Sequence, residues 1–328
     1  MKVRSAALLL TVTVLGGCAY DTPMSTVSTQ SDFGRAILGV YALITWICAV
    51  IAVIVFALLA WVLSRYRDRP GAGLPRQIRG HTLLELSWTI APALVLLVIA
   101  IPTIQVIFRT QSQTPPGALE VTVRGWQWWW EFRYPSLGIV TANELYLPVG
   151  QPVAFRLEGP DVIHSFWIPR MGGKRDVVPG RLNQVSFTPD EAGDLWGQCA
   201  EFCGASHANM RMRVVAVSRP EFERWAAQQK AAPPEPTEAA AEGRAIYAKS
   251  ACVGCHTIRG VSAGVIAPDL THFGSRKTLA AGIRPNTLEN VTAWLLDPQG
   301  LKPGVKMPAI GLTPAEAKSV AAYLLSLK

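Results

Sequence analysis

The chain has 328 residues, 50% of them hydrophobic and only 16% charged, so it is long enough for several domains and part of it belongs in lipid. Its net charge of +8 is uneven: residues 1–109 carry nine basic and four acidic groups, 110–231 twelve of each, and 232–328 ten and seven. No dense basic stretch is interleaved with aromatics, so the excess reads as loop charge beside membrane spans and not as a nucleic-acid surface. Residues 1–17 read as a secretory signal, with Lys2 and Arg4 ahead of an apolar run at 6–15 that is too short to cross a bilayer. Two long apolar runs follow, 36–63 without a charge and 83–108 with Glu85 alone. Each exceeds the roughly 20 residues a spanning helix needs. Arg65, Arg67, Arg69, Arg76 and Arg79 against Asp68 mark the loop between them as cytoplasmic, so both ends of the hairpin face outward, in agreement with the signal. From about 120 to 217, alternating segments such as 119–123, 153–157 and 212–217 separated by Gly and Pro predict a β-sandwich or barrel of roughly 100 residues. An Ala/Pro-rich stretch at 226–241, with Pro233, Pro234 and Pro236, reads as a stiffened linker to a last, helical domain over 242–328. The domain boundaries that follow are 1–17, 18–109, 110–225, 226–241 and 242–328. Residues 238–250 are expected to be helical, and Thr313-Pro314-Ala315-Glu316 is a capping box that opens a terminal helix to Leu327.

The β segment holds the densest chemistry. Gln198-Cys199-Ala200-Glu201-Phe202-Cys203-Gly204-Ala205-Ser206-His207-Ala208-Asn209-Met210 follows His164 by 35 residues, counted to Cys199. Two thiolates, two imidazoles and a thioether form a soft donor set that selects copper over hard cations. Thiolates this close can bridge two metals, which is the pattern of the binuclear copper centre CuA. A Cys199–Cys203 disulfide is the competing reading, and it leaves His164, His207 and Met210 unexplained.

In the last domain Cys252-Val253-Gly254-Cys255-His256 is the attachment signal of c-type haem: two thiols bond the vinyl groups and the adjacent His reaches the iron. A thioredoxin-type C-x-x-C lacks that His and needs a βαβ context. Met307, 51 residues beyond His256, is the expected opposite ligand. His272 is its competitor and otherwise reads as a surface histidine. Lys302 and Lys306 flank Met307 and are expected to form a face for a donor with acidic docking groups. Of the remaining cysteines, Cys48 lies in an apolar run and Cys18 closes Leu15-Gly16-Gly17-Cys18. That stretch resembles the bacterial lipobox and marks Cys18 as a lipidated first residue of the mature chain.

The hairpin, β domain and copper loop resemble subunit II of the haem–copper cytochrome c oxidases over about 30–218. Residues 238–328 resemble a class I cytochrome c fused to it, as in caa-type oxidases. Asp161-Val162-Ile163-His164-Ser165-Phe166 looks like the family's first copper segment, and Gly180-Arg181-Leu182-Asn183-Gln184 and the 199–210 stretch are similar to its other signatures. The implied fold is a two-helix transmembrane hairpin, a cupredoxin-like β-sandwich and an all-α cytochrome c domain.

The resemblance implies that Cys199 and Cys203 bridge the coppers and that His164 and His207 are terminal ligands. Met210 then sits on one copper and the Glu201 carbonyl on the other, while the Glu201 side chain reaches Mg²⁺ at the boundary with subunit I. Trp128, in Gly125-Trp126-Gln127-Trp128-Trp129-Trp130, matches the residue through which electrons arrive. Trp126 and Trp129 stand where His and Tyr are common, and the patch also reads as an aromatic brace on the membrane. Leu84-Glu85-Leu86-Ser87-Trp88-Thr89 with Pro92 resembles the start of the second span, where the family's Glu lies at the mouth of a proton-uptake channel into subunit I. A carboxylate inside a span is costly and so points to function; the plainer reading is an interfacial, solvated group.

The implied activity is that of a bacterial cytoplasmic-membrane oxidase with both extramembrane domains on the periplasmic face. Electrons would pass from a donor cytochrome c or bc complex through haem and CuA to subunit I, where dioxygen is reduced to water and protons are pumped. Two rivals are the CuA subunit of a nitric oxide reductase and a membrane-tethered electron carrier or copper-handling protein without a catalytic partner. Glu85, and a Glu201 side chain not needed for copper, favour docking to subunit I. A quinol oxidase subunit lacks these ligands.

Overall fold

The two apolar runs fold as long helices, α1 (Asp32–Arg65) and α2 (Thr82–Thr110). In this computed structural model, which describes residues 22–67, 70, 71, 73, 77–111 and 114–328, the two helices leave large apolar side chains such as Phe56, Leu58 and Leu96 exposed. Neither apolar window buries any residue in the protein, which suits lipid and not water. Residues 1–21, with the leader reading and Cys18, lie outside the described residues, as do Asp68, Arg69 and Arg76 of the basic loop. At the start of α2 the Leu84 N–H donates to His81 Nδ1 and the His81 N–H donates to Glu85 Oε1, so Glu85 helps to cap its own helix.

The β segment forms ten strands: β1 (Leu119–Trp126), β2 (Trp129–Tyr134), β3 (Ile139–Ala142), β4 (Glu144–Pro148), β5 (Val153–Glu158), β6 (His164–Trp167), β7 (Arg175–Val177), β8 (Asn183–Phe187), β9 (Gly193–Cys199) and β10 (Arg211–Val217). They make two five-stranded sheets in the orders β3-β2-β1-β5-β8 and β4-β10-β9-β6-β7. The pairs β1/β5 and β4/β10 are parallel and the rest antiparallel. Trp130, Phe132, Tyr134, Phe155 and Phe166 fill the space between the sheets. The Tyr134 hydroxyl donates to the Tyr146 carbonyl and accepts from its N–H, and burial pushes the phenol above its ordinary range.

A helix that the sequence reading did not assign, α3 (Arg219–Lys230), follows β10 and buries Phe222, Ala226 and Gln229. Ser218 and Glu221 form its capping box, and Trp225 stacks on Tyr146 at 4.6 Å. The stretch 226–241 is therefore helical at both ends. Ala, Gln and Lys propagate α3 to Lys230, the prolines stop it, and α4 (Glu238–Lys249) begins after 231–237.

The C-terminal domain adds α5 (Cys252–Cys255), α6 (Leu288–Leu296), α7 (Pro298–Leu301) and α8 (Pro314–Ser326), with two short strand pairs, β11 (Thr257–Ile258) with β12 (Ser262–Ala263) and β13 (Thr278–Leu279) with β14 (Arg284–Pro285). Thr313 and Glu316 form the expected capping box of α8. The helices α4 and α8 cross at Gly243, where a Cβ would lie 2.0 Å from the Ser319 carbonyl oxygen; only glycine permits that approach. Tyr247 and Tyr323 close the contact with rings 5.8 Å apart.

Candidate metal and haem sites

Strand pairing sets up the first site. Phe166 of β6 pairs with Cys199 of β9, and the Ala200 N–H donates to the Ser165 carbonyl, so the start of β6 lies against the end of β9. His164 is the first residue of β6 and is fully buried. Beyond Cys199 the chain loops through a short 3₁₀ turn at His207–Asn209 and returns at Met210, whose carbonyl accepts the Cys199 N–H. The donor atoms converge. Cys199 Sγ lies 3.7 Å from Cys203 Sγ, 3.8 Å from His164 Nδ1 and 3.2 Å from the Glu201 carbonyl oxygen. Cys203 Sγ lies 3.6 Å from His207 Nδ1 and 3.9 Å from Met210 Sδ. The ligand atoms of His164, Cys199 and Cys203 all fall within 4.8 Å of one another.

The two thiols lie within hydrogen-bonding distance of each other. The hydrogen bond with Cys203 holds Cys199 well below its ordinary range against the cost of burial, and the same bond with burial holds Cys203 above its own. One thiolate thus forms readily, and a cationic metal would displace the second proton. Asp161, whose place in the sequence assigns it no role, completes the site. Its Oδ1 lies 2.9 Å from His164 Nε2, which leaves Nδ1 directed at Cys199. Burial opposes the charge on both partners, but their contact lowers Asp161 and raises His164, helped by the Gln127 and Val162 N–H groups that donate to the carboxylate. A second hydrogen-bonding partner behind a ligating imidazole is a regular feature of metal sites. A buried, soft donor set with two adjacent sulfurs fits copper. The Glu201 side chain is exposed and takes no part in the cluster.

The second site lies in the C-terminal domain. Cys252 and Cys255 occupy one helical turn, and with His256 and Met307 they line a cavity of about 310 Å³. His256 Nδ1 donates to the Pro268 carbonyl at 2.7 Å, because a carbonyl only accepts, and Nε2 is left for a metal. Burial lowers His256 and keeps it neutral. The donor set therefore fits covalent haem. His272, read as a surface residue, is instead 5% exposed and absent from this lining. It faces a separate space of about 110 Å³ beside Glu144, Tyr146 and Trp225, because the turn after Leu270 packs against the β domain.

The two sites share a wall. Trp126, Gln127, Trp128 and Asp161 of the β domain line the same cavity as Cys252 and Met307. Trp126 and Trp129 are opposed across the β1/β2 hairpin and stack with planes 5° apart. Trp128, at the turn, is 6% exposed; its Nε1–H donates to the Cys203 carbonyl at 3.0 Å, and Gln127 Nε2 donates to the same oxygen. On the other side Gly304 touches the Trp128 ring, where a Cβ would stand 2.9 Å from Cη2. Lys302, expected on an open docking face, is 2% exposed. Burial draws its pKa to about 7 because the ammonium has left water for the contact between the domains. Lys306 remains exposed, 3.6 Å from Asp161.

Family sequence models match along the chain: "Cytochrome C oxidase subunit II, transmembrane domain" at residues 30–106, "Cytochrome C oxidase subunit II, periplasmic domain" at 138–217 and "Cytochrome c" at 240–328. A cytochrome c oxidase subunit 2 of Alkalihalophilus pseudofirmus is 36% identical over 96% of this chain and 94% of its own length. That of Bacillus subtilis is 35% identical over 98% and 96%. Among solved structures, the periplasmic domain of subunit II of cytochrome oxidase from Bradyrhizobium japonicum is 32% identical, with 36% of this chain and 97% of that one covered and a TM-score of 0.35. Identity at this level along nearly the whole length decides the matter: the chain belongs to the cytochrome c oxidase subunit II family and carries a cytochrome c domain at its C-terminus.

Proposed function

We propose that the chain is the electron-accepting subunit of a proton-pumping terminal oxidase, taking electrons from a donor cytochrome c or bc complex at its haem domain and delivering them through its copper domain to subunit I, where dioxygen is reduced to water. The observation that carries this reading is Trp128, which lines the cavity bounded by His256 and Met307 and hydrogen-bonds the Cys203 carbonyl. In this assignment Cys252 and Cys255 would hold the haem covalently, and His256 and Met307, which line the same cavity, would supply its ligands. Cys199, Cys203, His164, His207, Met210 and the Glu201 carbonyl would hold the copper of a CuA centre, whose donor atoms they bring together. Haem and copper supply one-electron chemistry; the protein supplies position and surroundings. Strands β6 and β9 position His164 and Cys199, Asp161 fixes the His164 ring, and burial keeps water away from the sulfurs.

The exposed Glu201 side chain is assigned to Mg²⁺ at the contact with subunit I, and Glu85 to the mouth of a proton-uptake channel on the inner face. Both extramembrane domains are assigned to the periplasmic face, and Cys18 to a lipidated N-terminus that intact mass spectrometry would show.

The test is purification of the native complex. Copper should measure about two per chain with a mixed-valent EPR signal, the pyridine haemochrome should report covalent haem c, and turnover should consume oxygen. A mononuclear copper signal would sink the CuA assignment. Nitric oxide consumption without oxygen uptake would replace the oxidase with a reductase, and a chain that purifies without a catalytic subunit would leave a tethered carrier.

A further inference from the structure

The contact between the haem and copper domains is built from specific groups on both sides. Lys302 Nζ donates to the Trp128 carbonyl at 2.7 Å and to the Ala280 carbonyl at 2.9 Å. Ser206 Oγ in the copper loop donates to the Pro303 carbonyl at 2.7 Å, and the Arg211 N–H donates to the Ala281 carbonyl. Glu144 Oε1 accepts from the N–H groups of Lys277 and Thr278. Ala280 and Ala281 stand at φ 54° and 67°, a left-handed conformation costly for a residue with a Cβ, and their carbonyls are the ones that meet Lys302 and Arg211. Strain at the contact argues that the pose is specified by both surfaces.

We propose that Lys302 is a positioning residue that clamps the cytochrome c domain onto the Trp128 turn, so that Trp128 serves only the haem domain of its own chain and is closed to a soluble donor. The proposal rests on the electron-transfer reading above. Lys302 stands 2% exposed between two carbonyls, and the charge-assisted bonds of an ammonium are the strong kind. As a neutral amine it would keep two N–H donors for the same two oxygens, so loss of the charge would weaken the clamp without removing its hydrogen bonds. Trp128, at 6% exposure between the Cys203 carbonyl and Gly304, has no face left for an outside protein. The Ala/Pro stretch at 231–237 is then a connector between docked domains and not the tether of a swinging carrier.

The experiment uses the purified complex and begins with haem and copper content, which separates failure of the functional assignment from failure of the clamp. Two quantities are then compared in the parent and in Lys302→Met: the rate of electron equilibration between haem and copper after rapid photoreduction, and the enhancement of copper EPR relaxation by ferric haem. The variant removes the amine that donates to both carbonyls and leaves the buried Trp128 carbonyl and the half-buried Ala280 carbonyl without it, so its rate should fall about tenfold or more. The relaxation enhancement should weaken at unchanged metal content. Rate and relaxation within about twofold of the parent overturn the proposal. A second measurement does not depend on the variant folding: a protease site inserted between Ala232 and Pro233 is cut in the otherwise parental complex. A haem domain that stays with the complex supports the clamp, and one released on cutting refutes it.

Discussion

The carboxylate of Asp161 lies 2.9 Å from Nε2 of His164, and its other oxygen lies 3.6 Å from Lys306, which directly precedes Met307. One side chain thus touches the ring of a proposed copper ligand and the neighbour of a proposed haem ligand. Asp161→Asn keeps the shape and removes the charge. Copper affinity is expected to fall roughly 10–100-fold, read as copper retained against a graded chelator. The metal-free protein should also lose part of its acid response. The folded pKa of Asp161 lies below its unfolded value, so its pairing stabilises the fold above about pH 4 and is lost as pH falls through the folded value. Thermal unfolding against pH should show that acid limb in the parent and a flatter one in Asp161→Asn.

Trp128→Phe keeps an aromatic ring and removes the N–H that reaches the Cys203 carbonyl. The hydrogen bond contributes about 1 kcal/mol, so the fold and the copper spectrum should survive. Electron equilibration between haem and copper should slow several-fold. An unchanged rate, measured by photoreduction, would remove Trp128 from the path.

Glu144→Ala is expected to loosen the haem domain. It leaves the N–H groups of Lys277 and Thr278 without their acceptor and deprives the buried Arg213 guanidinium of one carboxylate partner, with Asp194 remaining. A loss of roughly 2–4 kcal/mol should appear as a lower thermal midpoint. Faster proteolysis within 231–237 should accompany it, and Glu144→Gln, which keeps one acceptor oxygen, should lose less.

Gly243→Ala should prevent the haem domain from closing, because the new Cβ would meet the Ser319 carbonyl at 2.0 Å and both atoms are fixed by helices. The cost should reach about 3 kcal/mol or more. A haem-stained gel should show the chain without covalent haem; a normal haem band would mean that α4 and α8 can separate without loss.

Met307→Leu and His272→Ala distinguish the two candidate haem ligands. Loss of the thioether should lower the haem potential and change the visible spectrum. His272→Ala, which alters a residue outside the cavity lining, should leave both unchanged.

Much of this was legible in the residues. Strands β1, β5 and β10, helices α4 and α8 with the Thr313 capping box, and the apolar runs of α1 and α2 stand where hydrophobic period and punctuation put them. Helix α3 was hidden because its stretch runs into Ala/Pro-rich sequence, and the Ser218/Glu221 capping box was the signal that would have found it. Asp161 was visible three residues before His164, but spacing alone does not say that its carboxylate turns back onto the ring.

By itself the sequence determined which donors each site can offer, since Cys199, Cys203, His207 and Met210 lie within one short stretch, as do Cys252, Cys255 and His256, and local spacing dictates which donors a short segment can present. The tertiary structure alone decided where Lys302 and Trp128 sit: both are buried against each other's domain. A lysine beside a proposed haem ligand reads as a solvated charge until a carbonyl 174 residues away is found to cover it. The cost of burying that ammonium is met only by oxygens that two folded domains bring together, and no local pattern records their meeting.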